Sequence, residues 1–151
     1  LSIEGIVSAG KLLATYIHQS KKRYPNIAVC GLNPHAGEHG AFGREEIELI
    51  APAIAALQAT GLATFSGPHV PDAIFRDAAD GKYNAVLCMY HDQGLIPLKL
   101  LDFDNAVNIT LGLPKPRLSP DHGTAFSLAG KNLANPSSML RALQLAAEMV
   151  S

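Results

Sequence analysis

The chain has 151 residues, of which 48% are hydrophobic and 17% charged, with a formal net charge of −1. This composition predicts a globular domain with a substantial core and excludes intrinsic disorder. The balanced charge excludes attraction of nucleic acid or an anionic membrane by bulk charge. No apolar run reaches the ~20 residues that a membrane span needs. The amino terminus has neither a signal-peptide pattern nor an initiator Met, so we expect a cytoplasmic protein that is a fragment or a processed form.

Hydrophobic periodicity predicts alternating helices and strands along the chain. Helices are predicted at residues 3–20, 44–61, 70–81, 136–150 and within 91–103, after a loop that starts at 91. Strands are predicted at residues 26–31, 62–68, 83–90 and 105–112, and a long proline-containing loop at 113–123. Ser137 or Ser138 is available as the N-cap of the last helix. The alternation predicts an α/β fold with a largely parallel sheet.

The two cysteines, Cys30 and Cys88, each end an apolar run and do not have CxxC spacing. This pattern predicts neither a disulfide framework nor a zinc ribbon. We expect both to be buried free thiols, as is usual in a reducing cytoplasm.

Histidines lie in three loops that follow predicted strands: residues 33–40, 91–94 and 113–123. In parallel α/β sheets, ligands bind at the carboxyl ends of the strands. His35 in NPHAGE and His91 in YHDQG are therefore candidate ligands of a divalent metal of the zinc type. Asp92 and Gln93 would support His91. The alternative is that both histidines are ordinary loop residues that hydrogen bond to the backbone.

Lys99, Asn108 and Arg117 lie in or beside the same predicted strand-end loops. Together they could hold a phosphate or a carboxylate, with Arg117 making a bidentate contact. Asp72 is expected at a helix start, as an N-cap or first-turn acid. The loop at residues 121–138 is rich in small side chains, and His122 is available there to stack on a base. It matches neither GxGxxG nor a P-loop.

Four motifs in order, NPHAGE, MYHDQG, VNITLGLP and DHGTAFSLAG, resemble the 4-hydroxythreonine-4-phosphate dehydrogenase family over essentially the whole chain. The segment HGTAFSLAGKNLANP also resembles the cofactor loop of isocitrate and isopropylmalate dehydrogenases. The resemblance implies an α/β, isocitrate/isopropylmalate dehydrogenase-like three-layer fold, present as its carboxy-terminal half. Residues 1–110 would form most of the central dimerisation and metal domain, and 111–151 the returning part of the NAD-binding domain.

The resemblance also implies roles for individual residues. His35 and His91 match two of three metal-binding histidines; the third belongs to the amino-terminal half of the family's chain. The family's substrate contacts match Lys99, Asn108 and Arg117, and an active-site acid matches Asp72. By analogy with the wider superfamily, four residues would lie along the coenzyme: His122, Gly123, Thr124 and Asn135. Ser127 replaces an acid that isopropylmalate enzymes often have in that loop.

The reaction implied is the NAD-dependent oxidation and decarboxylation of 4-phosphohydroxy-L-threonine to 3-amino-2-oxopropyl phosphate, in pyridoxal 5′-phosphate biosynthesis. A divalent metal, zinc, magnesium or cobalt, would act as Lewis acid. NADP is the alternative coenzyme, and the implied assembly is a homodimer with its active site near the interface.

Three alternatives remain open. The chain could belong to a paralogue that acts on a phosphorylated sugar acid or a cis-dihydrodiol. It could be a non-catalytic remnant that keeps only a dimerisation surface. It could be a metal-dependent hydrolase that uses His35 and His91 without NAD.

Overall fold

A computed structural model describes residues 1–150; residue 151, the last of the expected coenzyme domain, lies outside the described range. The chain forms two compact units, Leu1–Leu95 and the residues from Ile96 onward. The first unit contains, in order, α1 (Ile3–Lys21), β1 (Asn26–Cys30), a short 3₁₀-type segment (Pro34–Gly40), a π-helical turn (Glu46–Ile50), α2 (Ala51–Gln58), β2 (Thr64–His69), α3 (Pro71–Ala79) and β3 (Ala85–Leu87).

The first unit is built on a parallel sheet with the strand order β2-β1-β3. Side chains of the central strand alternate between its two faces. Ile27 and Val29 pack in a core that includes α1 and α2, whereas Ala28 and Cys30 pack against Ile74 of α3. Helices therefore cover both faces of the sheet, which confirms the predicted α/β layering.

The helix α4 (His91–Asp102) begins directly after the β3 region, where a loop was predicted. The predicted strand at 83–90 is also wrong in extent, because only Ala85–Leu87 pairs with β1. The last pair is Val29 with Leu87, and the apolar residues beyond Leu87 are not part of the strand.

The second unit contains β4 (Val107–Thr110), β5 (Arg117–Pro120), a short 3₁₀ turn (Phe126–Leu128) and α5 (Ser137–Val150). β4 and β5 form a separate antiparallel pair, and α5 packs against both. The prediction of a loop over 113–123 is therefore wrong, because Arg117–Pro120 forms a strand. Pro120 is tolerated in β5 because each strand of a two-stranded ribbon is an edge strand.

The start of α5 also differs from expectation. The backbone N–H of Ser137 donates to Asn135 Oδ1 at 3.0 Å, so an asparagine side chain satisfies this helix end. Ser138 is buried, and its hydroxyl donates to the Ala106 carbonyl oxygen at 2.6 Å and accepts from the Asp121 N–H at 3.1 Å. Ser138 therefore joins three segments of the second unit instead of capping the helix.

Both cysteines are free thiols, as predicted; Cys30 is buried as expected, but Cys88 is only half-buried. Among residues 1–150, no helix combines the length and the apolar character needed to cross a membrane.

Candidate functional site

Two of the candidate metal ligands lie at one edge of the parallel sheet. His35 follows β1, and His91 is the first residue of α4, shortly after β3. Because β1 and β3 are adjacent parallel strands, their carboxyl ends open onto the same edge. Both imidazoles are exposed. The described residues contain no group of three or more His, Cys, Asp or Glu side chains arranged to hold a metal ion.

The backbone around His35 has an unusual left-handed conformation. The φ angles are +53° at His35, +51° at Ala36, +80° at Gly37, +40° at Glu38 and +56° at His39. This region disfavours residues with a Cβ by roughly 1–2 kcal/mol each. Such a turn persists only when surrounding contacts impose it, and it is typical of functional loops.

Glu46, which is buried in the π-helical turn, supplies those contacts. Its Oε1 accepts the backbone N–H groups of Leu32 and Asn33 at 2.7 and 2.8 Å, and its Oε2 accepts Asn33 Nδ2 at 2.9 Å. Burial by itself would raise the pKa of Glu46, but the donors from Asn33 and Leu32 outweigh it and lower the pKa below the ordinary value. The carboxylate therefore fixes the start of the His35 loop.

Glu46 is not among the candidate residues predicted from the sequence. A signal was present: Glu46 lies one helical turn before Ile50 and so falls on the buried face that includes Ile50, Ile54 and Leu57. A carboxylate on an apolar helical face needs dedicated hydrogen-bond donors.

Gln93 joins the ends of the two strands that precede the histidines. It is buried; its Nε2 donates to the Gly31 carbonyl oxygen at 2.8 Å, and its Oε1 accepts the Met89 N–H at 2.7 Å. Gly31 directly follows β1, and Met89 lies between β3 and His91. One side chain thus ties both segments that carry the candidate ligands.

Asp92 lies beside His91 as the sequence suggested. His91 Nδ1 and Asp92 Oδ1 are 2.7 Å apart, and both side chains are exposed. A carboxylate on one ring nitrogen orients an imidazole and favours the tautomer with its other nitrogen unprotonated. Nε2 of His91 is therefore suited to bind a metal.

Asn108 and Arg117 lie on one face of the β4–β5 ribbon. Asn108 is opposite Ser119 and Thr110 is opposite Arg117, so all four side chains point to the same side. Arg117 Nη1 donates to Thr110 Oγ1 at 2.9 Å, which leaves its other donors available. The structure thus places two of the three candidate substrate-binding residues on one face of the ribbon.

Lys99 of α4 is bound to the residue after β5. Its Nζ donates to the Asp121 carbonyl oxygen at 2.9 Å and lies 3.2 Å from Asp121 Oδ2. That Oδ2 is enclosed and accepts no hydrogen bond from the described residues, so its contact with Nζ is electrostatic without hydrogen-bond geometry. Nζ also lies 5.1 Å from the Phe103 ring centroid.

Three of the four candidate coenzyme residues line one cavity of about 430 Å³ in the second unit. They are His122, Gly123 and Asn135; Thr124 is exposed and does not line it. Asp104, which the sequence did not single out, also lines the cavity and accepts a 2.9 Å hydrogen bond from Asn135 Nδ2.

Asp72 lies in the first turn of α3 and is exposed. It is a first-turn acid and not the N-cap, which is Val70. The structure does not group Asp72 with the two histidines in a metal-binding cluster.

The chain is similar to several known proteins. It is 51% identical to 4-hydroxythreonine-4-phosphate dehydrogenase of Caulobacter vibrioides over 100% of this chain and 45% of that protein. It is 54% identical to the enzyme of the same name from Erythrobacter litoralis, over 98% of this chain and 44% of that protein. The chain therefore spans less than half the length of these relatives.

Two solved structures are also similar to this chain. The crystal structure of 4-hydroxythreonine-4-phosphate dehydrogenase from Klebsiella pneumoniae superimposes with a TM-score of 0.86 at 46% identity, covering 97% of this chain and 44% of that one. A terephthalate 1,2-cis-dihydrodiol dehydrogenase from Burkholderia xenovorans gives a TM-score of 0.75 at 31% identity, covering 97% and 46%.

The family model for pyridoxal phosphate biosynthetic protein PdxA matches residues 1–146, nearly the whole of this chain. The four ordered motifs and the fold agree with that match. The chain therefore belongs to the pyridoxal phosphate biosynthetic protein PdxA family.

Proposed function

We propose that the protein is an NAD-dependent 4-hydroxythreonine-4-phosphate dehydrogenase of pyridoxal 5′-phosphate biosynthesis. The observation that carries this proposal is the pair of histidines, His35 and His91, which follow adjacent parallel strands joined by Gln93. The proposed substrate is 4-phosphohydroxy-L-threonine, and the proposed product is 3-amino-2-oxopropyl phosphate.

His35 and His91 are proposed to hold a divalent metal, with a third ligand from outside the described residues. The donor set fits: both imidazoles are exposed, and Asp92 holds His91 Nδ1 at 2.7 Å, which leaves Nε2 for the ion. When bound, zinc, magnesium or cobalt would supply Lewis-acid polarisation of substrate oxygen. Gln93 and Glu46 keep the two histidine-bearing segments in place before any ligand arrives.

Asn108, Arg117 and Lys99 are proposed to orient the anionic groups of the substrate. Arg117 keeps donors free for a bidentate contact with a phosphate or carboxylate. One of the three N–H donors of Lys99 is bound to the Asp121 carbonyl oxygen, and the other two remain for substrate. Fixing both ends of a small substrate lowers the entropic part of the barrier.

The cavity lined by His122, Gly123 and Asn135 is proposed as the coenzyme site, with Thr124 beside it. Its lining is mainly apolar with a few polar groups, as expected for a site that receives a flat base. We propose NAD in preference to NADP, because the Asp104 carboxylate in the same cavity would repel an additional phosphate. When bound, the coenzyme would accept the hydride from the substrate.

We further propose a cytoplasmic homodimer with the active site near the interface. Residues 1–110 would supply most of the dimerisation and metal domain, and 111–151 part of the NAD-binding domain. Asp72 is proposed for proton transfer, since its exposed carboxylate is free to reach a shared site.

The test combines metal titration with turnover. The protein, His35→Ala, His91→Ala and Asp92→Asn would be titrated with Zn²⁺ by calorimetry and assayed for NADH formation from 4-phosphohydroxy-L-threonine. We expect about one ion per chain, with affinity lowered about 10–100-fold by Asp92→Asn and further by either alanine. His18→Ala, on the exposed face of α1, is the matched control. Unchanged affinity in both alanine variants would refute the metal site.

A second candidate substrate class is a cis-dihydrodiol, because a terephthalate cis-dihydrodiol dehydrogenase shares the fold at a TM-score of 0.75. The same assay with a cis-dihydrodiol separates the two functions. A kcat/KM higher for the dihydrodiol than for the phosphorylated amino acid would favour this alternative.

A further inference from the structure

Cys30 and Cys88 face each other at the carboxyl edge of the parallel sheet. Cys30 is the last residue of β1, and Cys88 directly follows β3. Val29 is paired with Leu87, so the same register continued by one residue puts Cys30 opposite Cys88. Neighbouring strands lie about 4.8 Å apart. That spacing falls within the roughly 4.4–6.8 Å between Cα atoms that a disulfide spans.

The two thiols differ in exposure and pack in one cluster. Cys30 is fully buried in a cluster with Ala28 and Ile74, and half-buried Cys88 packs against that cluster. The interaction with the Cys30 side chain lowers the pKa of Cys88. The same interaction, followed by burial, raises the pKa of Cys30. Cys88 is therefore the nucleophile of the pair, and Cys30 its protonated neighbour.

We propose that Cys30 and Cys88 form a thiol modification site that hydroperoxides oxidise to a reversible disulfide. The Cys88 thiolate attacks the terminal oxygen of the hydroperoxide; an S–O bond forms, the O–O bond breaks, and the leaving oxygen takes a proton from solvent. The Cys30 sulfur then attacks the Cys88 sulfenic acid. An S–S bond forms, the S–O bond breaks, and hydroxide leaves as water with the Cys30 proton. The thiols lose two electrons, and the peroxide gains them.

The site is next to the segments that carry the two histidines. Cys30 precedes Gly31, and Cys88 precedes Met89, the two residues that Gln93 joins. Gly94 of α4 leaves space for the Cys88 sulfur, because a Cβ on Gly94 would lie 3.1 Å from Sγ. A disulfide here would couple the oxidation state of the pair to the geometry of the sheet edge. The inference does not depend on the substrate or the metal.

The experiment exposes the reduced protein to cumene hydroperoxide and follows its thiol content and peptide masses. We expect both thiols to be lost together, with a Cys30–Cys88 linked peptide that has lost two hydrogen atoms and that dithiothreitol restores. In Cys30→Ser the reaction should stop at a Cys88 sulfenic acid, which dimedone traps. In Cys88→Ser the rate of thiol loss should fall at least about tenfold.

Two results would overturn the proposal: both thiols of the wild-type protein stay titratable, or Cys88 is oxidised without any linked peptide. The wild-type measurement needs no variant, so the proposal stays testable even if a serine substitution prevents folding. Equal rates of thiol loss in Cys30→Ser and Cys88→Ser on exposure to cumene hydroperoxide would also overturn the proposal.

Discussion

The side-chain amide of Gln93 donates a 2.8 Å hydrogen bond to the carbonyl oxygen of Gly31, 62 residues earlier in the chain. The same side chain accepts the Met89 N–H. It thus satisfies one polar group at the end of each of two adjacent strands, at the point where regular sheet pairing stops. The segments that leave this point carry His35 and His91.

Replacing Gln93 with Ala should destabilise the first unit. The change removes both hydrogen bonds and leaves the Gly31 carbonyl and the Met89 N–H without a partner in a buried environment. We expect the free energy of unfolding to fall by about 2–4 kcal/mol, measured by urea denaturation. Gln19→Ala, at an exposed position of α1, is the matched control and should change it by less than about 0.5 kcal/mol. Equal effects of the two changes would contradict the bridging role.

Gly37→Ala should damage the His35 loop through a specific contact. Gly37 has φ +80°, and a Cβ there would lie 2.6 Å from Glu46 Oε2. Gly81→Ala is a close control, because Gly81 has φ +81° and open space around it. We expect a loss of roughly 1–2 kcal/mol for the control, from backbone conformation alone, and a larger loss for Gly37→Ala. Thermal unfolding would measure both, and similar Tm values would argue against a structural role for the Glu46 contact.

Glu46 should make stability depend on pH below the ordinary carboxyl range. Its pKa in the folded chain is lower than the ordinary value of 4.5, so its stabilisation is fully present above about pH 4.5 and is lost as the pH falls through the folded pKa. Glu46→Gln should therefore weaken the pH dependence of the free energy of unfolding at acid pH. Near neutral pH it should lower that free energy by about 1–3 kcal/mol.

The control for that experiment is Glu48→Gln. Glu48 is exposed and forms an ion pair with Arg44 at 2.6 Å, a kind of pair worth about 0–1 kcal/mol. A pH dependence at acid pH as steep in Glu46→Gln as in the wild type would show that other groups cause it.

Lys99 and Asp121 should be energetically coupled. Their contact combines a 2.9 Å backbone hydrogen bond with a 3.2 Å approach to the enclosed Oδ2. A double-mutant cycle with Lys99→Met and Asp121→Asn should give a coupling energy of about 0.5–3 kcal/mol by urea unfolding. The more exposed Lys82–Asp77 pair, at 2.6 Å, should give at most about 1 kcal/mol. A larger coupling energy for Lys82–Asp77 than for Lys99–Asp121 would contradict the expectation that burial strengthens the pair.

Much of the first unit could be predicted from local sequence. The continuous apolar run within Asn26–Cys30 indicates a strand covered on both faces, and the histidines follow predicted strands in NPHAGE and YHDQG. Residue order alone therefore suggested that His35 and His91 lie near one sheet edge. The resemblance in four motifs extended this to a family, and the comparisons confirmed the family.

Only the tertiary structure decided which polar side chains hold the site together. Glu46 reaches Leu32 and Asn33, Gln93 reaches Gly31, and Ser138 reaches Ala106, all through hydrogen bonds between residues distant in sequence. The pairing of β5 with β4, which puts Asn108 and Arg117 on one face, is also a matter of register between separate segments. Periodicity reports which face of one element is apolar, but it carries no information about which distant donor meets which acceptor. That information exists only once the strands are paired and the helices packed.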